Sequence, residues 1–512
     1  MKRILCLALS AALLLLCGCS QADVYTPTGN GLTWDEDYTG PTYDAPLQEG
    51  PESLVMTYYP ELGLNPYTCT DFTNRALFSL LYQGLFSTSR SYQVEPVLCK
   101  QYSVSPDMRT YTFYLESASF SDGSVLTAQD VVASLQAAKA GTYYKGRFFH
   151  IADIAAGASG SVVITLDTAM ENLPLLLDIP IVKASQVDSE YPAGTGPYTL
   201  SSNNASLQLR DNWWCKAQLQ INAATIALVR AESVTQIRDQ FEFFDLNLVC
   251  ADPFSDHYVD YRCDHELWDY ESGLFMYMTF SASSEVLADP DVRAAFTYAI
   301  DRDKLAADYY RGFARSTTLP ASPMFPYYSQ GLAARYSYDP ERFGQIMADK
   351  GLVGSTVTLL VNKDDSLRLR VAKDIAQMLT DAGLVVHLSA LSSDECMEAL
   401  QYRVFDIYLG QTKLSPNMDL SAFFHTNGAL SYGGVNDVAA YSLCLQALEN
   451  HGNYYTLFQT VMENGLMCPI LTGSYAIYAT RGLLTQLTPA RDNVFYYTLG
   501  KTMTQAQIQG TE

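Results

Sequence analysis

Thr356–Gly410, TVTLLVNKDDSLRLRVAKDIAQMLTDAGLVVHLSALSSDECMEALQYRVFDIYLG, sets the fold class of this chain. Thr356–Val361 alternates as a strand, and Leu367–Ala382 carries an apolar stripe at helical spacing. Leu384–Ala390 is a second strand, Asp394–Tyr402 a second helix and Phe405–Gly410 a third strand. Strands separated by helices of this length predict a parallel or mixed sheet with covered faces. Just upstream, Asp289-Pro290 offers an N-cap with proline at the first helical position. Val292, Phe296, Ala299 and Ile300 follow at helical spacing. Asp339-Pro340 repeats the device, with Phe343, Ile346 and Met347 on one face and Gly351 as a stop.

Before Asp289 strands dominate. Leu54–Tyr59 (LVMTYY) reads as a strand ending in a turn from Pro60 to Pro66, and Ala76–Phe86 reads as a helix with Gly84 near its end. Short alternating runs such as TYTFYL (Thr110–Leu115) and SVVITL (Ser161–Leu166) predict half-buried strands. Between them, Thr127 is an N-cap with Asp130 at N3, and Leu126 and Val131 form a staple, opening a helix to Ala140. The chain therefore divides into a strand-rich N-terminal part and an α/β part, without an internal repeat.

The N-terminus states an address. Lys2 and Arg3 precede an apolar run, Ile4–Cys17, that is shorter than the about 20 residues of a membrane span. Such a run behind a positive start is a secretory signal. Leu16-Cys17-Gly18-Cys19 resembles the bacterial lipobox, which implies cleavage before Cys19 and its diacylation; Cys17 is a mild departure from that pattern. Residues 19–50, rich in Gly, Pro, Thr, Asp and Glu, have the composition of a disordered tether. A chain of that length reaches on the order of 30 Å.

Composition excludes several functions. The 512-residue chain carries a formal charge of −23; removing two of its 32 basic residues with the signal leaves 30 against 55 acidic, or −25. That balance opposes nucleic acid and anionic membrane surfaces as partners. Of 11 cysteines, Cys6 and Cys17 leave with the signal and Cys19 carries lipid. Cys69, Cys99, Cys215, Cys250, Cys263, Cys396, Cys444 and Cys468 remain, scattered and without zinc-site spacing. Cys250 and Cys263 either close a short loop or stay free. The GxSxG elbow, HExxH, P-loop and GxGxxG patterns are all missing. No cofactor or metal is expected, and no enzymatic activity, with a secreted hydrolase as the remote alternative.

Several segments in order resemble the family 5 extracellular solute-binding proteins of ABC importers. They are Asn65-Pro66, Leu81-Tyr82-Gln83-Gly84-Leu85, Glu95-Pro96-Val97-Leu98, Phe120-Ser121-Asp122-Gly123 with Leu126–Val132, Gly194-Thr195-Gly196-Pro197-Tyr198, and Asp291–Phe296 through Ala299-Ile300-Asp301-Arg302. The GTGPY glycines are expected at positive φ, and Arg293 and Asp301 on one face of one helix. The resemblance implies a two-lobed α/β fold of the type II periplasmic-binding-protein class, with a strand-rich subdomain and a hinge between the lobes. By that analogy 51–84, 193–282 and 485–512 form lobe I, 85–192 its inserted subdomain and 283–484 lobe II. Tyr277–Ser281 and Ser474–Ala479 are the expected hinge strands.

The same resemblance implies a lipid-anchored protein on the outer face of the cell membrane. It would pass a ligand, by family default a peptide, to a permease and its ATPases. A sensor without import, or a receptor for nickel, a metallophore or another small polar solute, is the alternative. Peptide-binding relatives carry a tryptophan and then an ammonium-binding aspartate where this chain reads Gly410-Gln411-Thr412-Lys413-Leu414-Ser415-Pro416-Asn417-Met418-Asp419. Lys413 stands near the expected carboxylate, which disfavours a free amine; it either meets a carboxylate or phosphate or points to solvent, the commoner fate of a lysine. The expected ligand residues are Tyr58, Tyr59, Asn65, Tyr277, Gln411, Lys413 and Asp419; His425 is the candidate for a metal complex.

Overall fold

The computed structural model describes residues 53–495 apart from 216–218, 256, 436 and 485–486. The signal, Cys19 and the tether lie outside these residues. Eleven strands form one continuous sheet in the order Val385–Leu391, Thr356–Asn362, Ile407–Lys413, His265–Phe280, Cys468–Thr480, Leu248–Ala251, Ser53–Tyr58, Thr225–Arg230, Ser206–Leu209, Tyr198–Leu200, with Ala314–Ser316 added to Cys468–Thr480. The α/β segment supplies one end, where Thr356–Asn362 runs parallel to both neighbours. This is the arrangement that alternation of strands and helices requires.

Two long antiparallel strands occupy the middle. His265–Phe280 pairs with Cys468–Thr480 from His265↔Thr480 to Met278↔Cys468, with a register shift between Glu271 and Phe275. Residues on either side of the shift serve different cores. Tyr270, Ile477 and Ala479 pack with the N-terminal elements. Leu274–Met278, Phe280, Cys468, Ile470 and Leu471 pack with the helices of the α/β part. The passage from one core to the other thus falls at Glu271–Leu274, upstream of Tyr277–Ser281, whose Tyr277 is wholly inside the second core. Gly273, at φ +77°, sits in the irregular stretch; a Cβ there would strike the Arg491 guanidinium.

Local chemistry explains the helix starts. Asp289 and Asp339 accept hydrogen bonds from the backbone N–H of Asp291 (2.9 Å) and Arg342 (3.0 Å), each with proline at the first turn. Thr127 and Asp130 form the expected capping box before Ala128–Ala140. Phe296 packs between Phe280 and Phe343, with ring centroids 5.3 and 5.4 Å away. A fully buried phenylalanine stabilises by about 1.5–3 kcal/mol, so this row fastens two helices to the sheet. A separate four-stranded sheet, Cys99–Val104, Thr110–Leu115, Val162–Leu166, Ile151–Ala156, joins the first core through Tyr111, Phe113, Val162 and Ile164.

Three local expectations need correction. Ala76–Phe86 is not one helix: Phe72–Ala76 and Phe78–Leu81 are short turns, and Gln83 then bridges Ile181. Tertiary pairing wins because Gly84 presses against the Asp178 backbone, where a Cβ would stand 2.8 Å from the carbonyl carbon. Arg293 and Asp301 do not share a helix, because Pro290–Ala299 ends first. Arg293 donates to four carbonyls, including Gly465 at 3.1 Å, while Asp301 caps the next helix, Arg302–Tyr310. The GTGPY glycines are needed for close approach rather than positive φ: a Cβ on Gly194 or Gly196 would lie 2.1 Å from the Leu81 carbonyl oxygen or 2.5 Å from its carbon.

Gly194→Ala should therefore lower the melting temperature, at the about 1–3 kcal/mol typical of overpacking. Gly331→Ala, in the helix Gln330–Ala333 with nothing within 4 Å of its Cβ, should leave it unchanged or raise it by about 0.4–1 kcal/mol. Thermal unfolding of the two variants beside the parent checks both.

Candidate functional site between the two cores

Lys413 ends the strand Ile407–Lys413, opposite Leu274 on the long central strand. That register aims it past the irregular stretch toward the N-terminal elements. Its ammonium lies 2.7 Å from the Tyr475 hydroxyl and 3.2 Å from that of Tyr143. The Lys413 side chain is accessible to water yet walled by protein. It lines a cavity of about 60 Å³ with Phe72, Arg75, Tyr143, Tyr270, Arg491 and Asp492. That volume takes a few waters or a small polar head group.

The cavity wall is an ionic cluster. Arg147 bridges the carboxylates of Asp178 and Asp492, all three side chains being nearly sealed from solvent. Tyr143 donates to Asp492 at 3.1 Å, and Arg491 approaches the same carboxylate at 3.8 Å while donating to the Leu414 carbonyl. Arg75 lies 3.2 Å above the Tyr143 ring and donates to Tyr144 (2.9 Å) and to the carbonyls of Cys69 and Pro66. Burial raises the Asp492 pKa, but Arg147 and Arg491 outweigh it and hold the carboxyl below its ordinary value. Burial likewise disfavours the Lys413 charge; the oxygens of Tyr143 and Tyr475 and the Asp492 carboxylate overcome it, so its pKa lies above the ordinary lysine value. The Tyr475 phenol is pushed up to about 12, chiefly by burial.

Of the expected ligand residues, Lys413 alone lines this cavity. Gln411 sits on the same strand, paired with Met276. Tyr277 is 1% exposed and meets Phe423 edge-on at 5.1 Å within the second core. Tyr58 donates to the Asn204 carbonyl and Tyr59 packs in a small cluster with Val55 and Val229. Asn65 is a corner bolt: its amide donates to Val187 (2.8 Å) and Ser189 (2.7 Å) and its oxygen accepts from the Tyr67 N–H. Asp419 accepts from the Ser421 N–H at 2.8 Å and faces His150 at 3.4 Å. His425 packs edge-on between Phe149 and Tyr441, and no group of three or more His, Cys, Asp or Glu suited to a metal occurs among the described residues. All eight described cysteines are free, and all but Cys263 are buried.

Arg75, Tyr143, Tyr270, Tyr475, Arg491 and Asp492 were not legible as site residues. They come from five separate parts of the chain, and only Tyr475 lay in a segment already marked, the expected hinge strand. Away from the cavity, other contacts join the strand-rich part to the second core. Tyr92 donates to Glu271 at 2.5 Å, Glu171 accepts from the His451 N–H at 3.2 Å, and His150 reaches Ser421 and Asp419.

The chain belongs to the bacterial extracellular solute-binding proteins, family 5, whose middle-region pattern matches residues 93–431. It is thus a non-enzymatic substrate-binding protein of ABC importers with the two-lobed type II fold. It is 25% identical over 356 residues to the glutathione-binding protein GsiB of Escherichia coli K12, covering 65% of this chain and 68% of that one. The ABC transporter substrate-binding protein CtaP of Listeria monocytogenes superposes with a TM-score of 0.71 at 17% identity, over 88% of this chain and 100% of that one. NikA of Brucella suis, in complex with Fe(III)-EDTA, gives 0.67 at 18% identity over 86% and 99%. No helix among the described residues is long and apolar enough to cross a membrane.

The His150 contact makes a pH prediction. Burial lowers the His150 pKa, but its contacts with Asp419 and Asp167 outweigh that and the net is upward; Asp419 is held below its ordinary value despite burial, by His150 and Ser421. The histidine's contribution is complete below its unfolded value of 6.5 and is lost as pH rises through the folded value. The aspartate's is present above 3.8 and is lost as pH falls through its lowered value. The melting-temperature deficit of His150→Gln should be largest between these limits, about 1–3 kcal/mol, and should shrink above neutral pH. Melting curves of parent and variant across pH 4–8 read it directly.

Proposed function

We propose that this chain is a lipid-tethered receptor. It takes up a small solute, peptide-like by the family default, between its lobes and hands it to an ABC permease driven by cytoplasmic ATPases. The observation that carries the reading is the position of the Lys413 cavity, at the irregular stretch of the two long strands, which among the described residues are the strands with side chains in both cores. A small rotation about Glu271–Phe275 and Thr472–Tyr475 opens or shuts a cavity placed there. In this reading 51–84, 193–282 and 485–512 are lobe I, 85–192 its subdomain and 283–484 lobe II, with the two long strands crossing between them: Leu274–Met278 and Phe280 pack with lobe II, and Ile477 and Ala479 with lobe I. Diacylated Cys19 holds the molecule on the outer face of the cell membrane, and 19–50 is the tether.

The GsiB relatives are named for glutathione, which makes glutathione the first solute to offer. A sensor that reports occupancy without import shares every feature so far and differs in its neighbours: permease and ATPase genes beside this one favour import.

Protein purified without refolding should retain about one small solute per chain, identified by mass spectrometry. Its readdition should lower the radius of gyration in X-ray scattering. A chain that turns over peptides or glycosides instead contradicts the receptor reading. The tether is tested separately: the parent should partition into detergent and incorporate labelled palmitate, and Cys19→Ser should do neither.

A further inference from the structure

We infer that the Lys413 cavity holds an anionic group of the solute, a carboxylate or phosphate, with Arg491, Lys413 and Tyr270 as its hydrogen-bond donors. The inference rests on the receptor reading and goes further, because it names the chemistry of what is bound.

The first argument is charge. The ionised groups lining the cavity among the described residues are Arg75, Lys413, Arg491 and Asp492, three cations against one carboxylate. That carboxylate already accepts from Tyr143, bridges to Arg147 and faces Arg491 at 3.8 Å. Lys413 touches two phenols, and Arg75 touches carbonyls, a phenol and an aromatic face. The Asp252 carboxylate acts on Lys413 electrostatically, but it does not line the cavity and accepts from the Phe254 N–H at 3.0 Å. Glu271, next to Tyr270 on His265–Phe280, is engaged by Tyr92 and Ser322. The cavity lining thus carries a net positive charge, and it stands in a protein whose formal charge is −23. Solubility accounts for acidic surfaces, not for cations gathered at one cavity.

The second argument is unmet hydrogen bonding. Among the described residues, Nε and Nη1 of Arg491 and the hydroxyl of Tyr270 are buried and lack hydrogen-bond partners, Nε having only the Asp492 carboxylate at 3.8 Å. Tyr270 is 2% exposed. Unpartnered donors are uncommon in folded proteins, and both residues line this cavity. An oxyanion supplies acceptors for all of them at once. Gly273 supports the arrangement: without a side chain at that position the guanidinium lies flat against the backbone, which a Cβ would prevent. The remaining walls, Phe72, Phe78 and Tyr143, are aromatic, and the about 60 Å³ between them admits the anionic group while the rest of the solute stays outside.

The test uses the full chain with Cys19→Ser and four probes: inorganic phosphate, N-acetyl-Glu-Glu, its neutral counterpart N-acetyl-Gln-Gln-amide, and Lys-Lys. Titration calorimetry should show binding of phosphate or of the acidic peptide, and this distinguishes the two anion sources. The neutral and cationic probes should bind at least about tenfold more weakly. Arg491→Gln and Lys413→Gln should each weaken the anion about tenfold or more, while Lys350→Gln, an exposed partner of Asp289 and Asp291, should not. Added anion should raise the melting point of the parent and not of the two cavity variants; a purely structural cation would lower the melting point when lost but leave that rise in place. Failure of both anions to bind, or equal binding by parent and cavity variants, overturns the inference. If the solute retained by the native protein is neutral or cationic and compacts the chain, the receptor reading survives and the anion does not. If no solute compacts it, the receptor reading itself falls.

Discussion

Two strands tie this molecule together. His265–Phe280 and Cys468–Thr480 are hydrogen-bonded to each other along most of their length, and each contributes side chains to two cores. A break in their register at Glu271–Phe275 separates the halves. A second shift, between Met276 and Tyr277, lies inside the second half; the longer gap at Glu271–Phe275 concentrates flexibility where backbone pairing is interrupted. Everything functional is placed by that break. Ile407–Lys413 pairs with the second half and ends at the break, which sets Lys413 there; Tyr270 precedes the break, and Tyr475 lies across from it.

The cavity so formed is electrostatically unusual. Arg147 with Asp178 and Asp492 makes a sealed ion cluster that fixes the wall, and the cations added around it exceed the carboxylates. On the proposed reading, Lys413 gives the site a positive sign, so that a free amine would meet repulsion there and an oxyanion would meet donors. The fold itself is neutral on this point: relatives of similar shape include one named for glutathione and one holding Fe(III)-EDTA. In the proposed reading the ligand is decided by a handful of side chains around one break in a sheet.

The sequence was most legible where local physics acts alone. Capped helices at Asp289, Asp339 and Thr127 and the strand–helix alternation from Thr356 follow from spacing and cap chemistry, and their structures agree. It was misleading where distant segments intervene. Ala76–Phe86 has a helical stripe, yet pairing of Gln83 with Ile181 pulls its second half out of the helix. The candidate site shows the same divide. Lys413 stood out because it breaks a pattern next to a predicted strand. Arg75, Arg491 and Asp492 carry no local signal, since their meaning comes from a cavity assembled across more than four hundred residues of chain. Asn65 and Tyr277, by contrast, look like ligand residues in sequence and serve as a corner bolt and a core side chain.

The most direct measurement is a crystal structure of the protein with its retained solute. The account predicts solute oxygen atoms within hydrogen-bond distance of the Arg491 guanidinium, the Lys413 ammonium and the Tyr270 hydroxyl, with both halves closed over them. A solute bound between the halves through an amine, or seated where it touches none of these three residues, would contradict it.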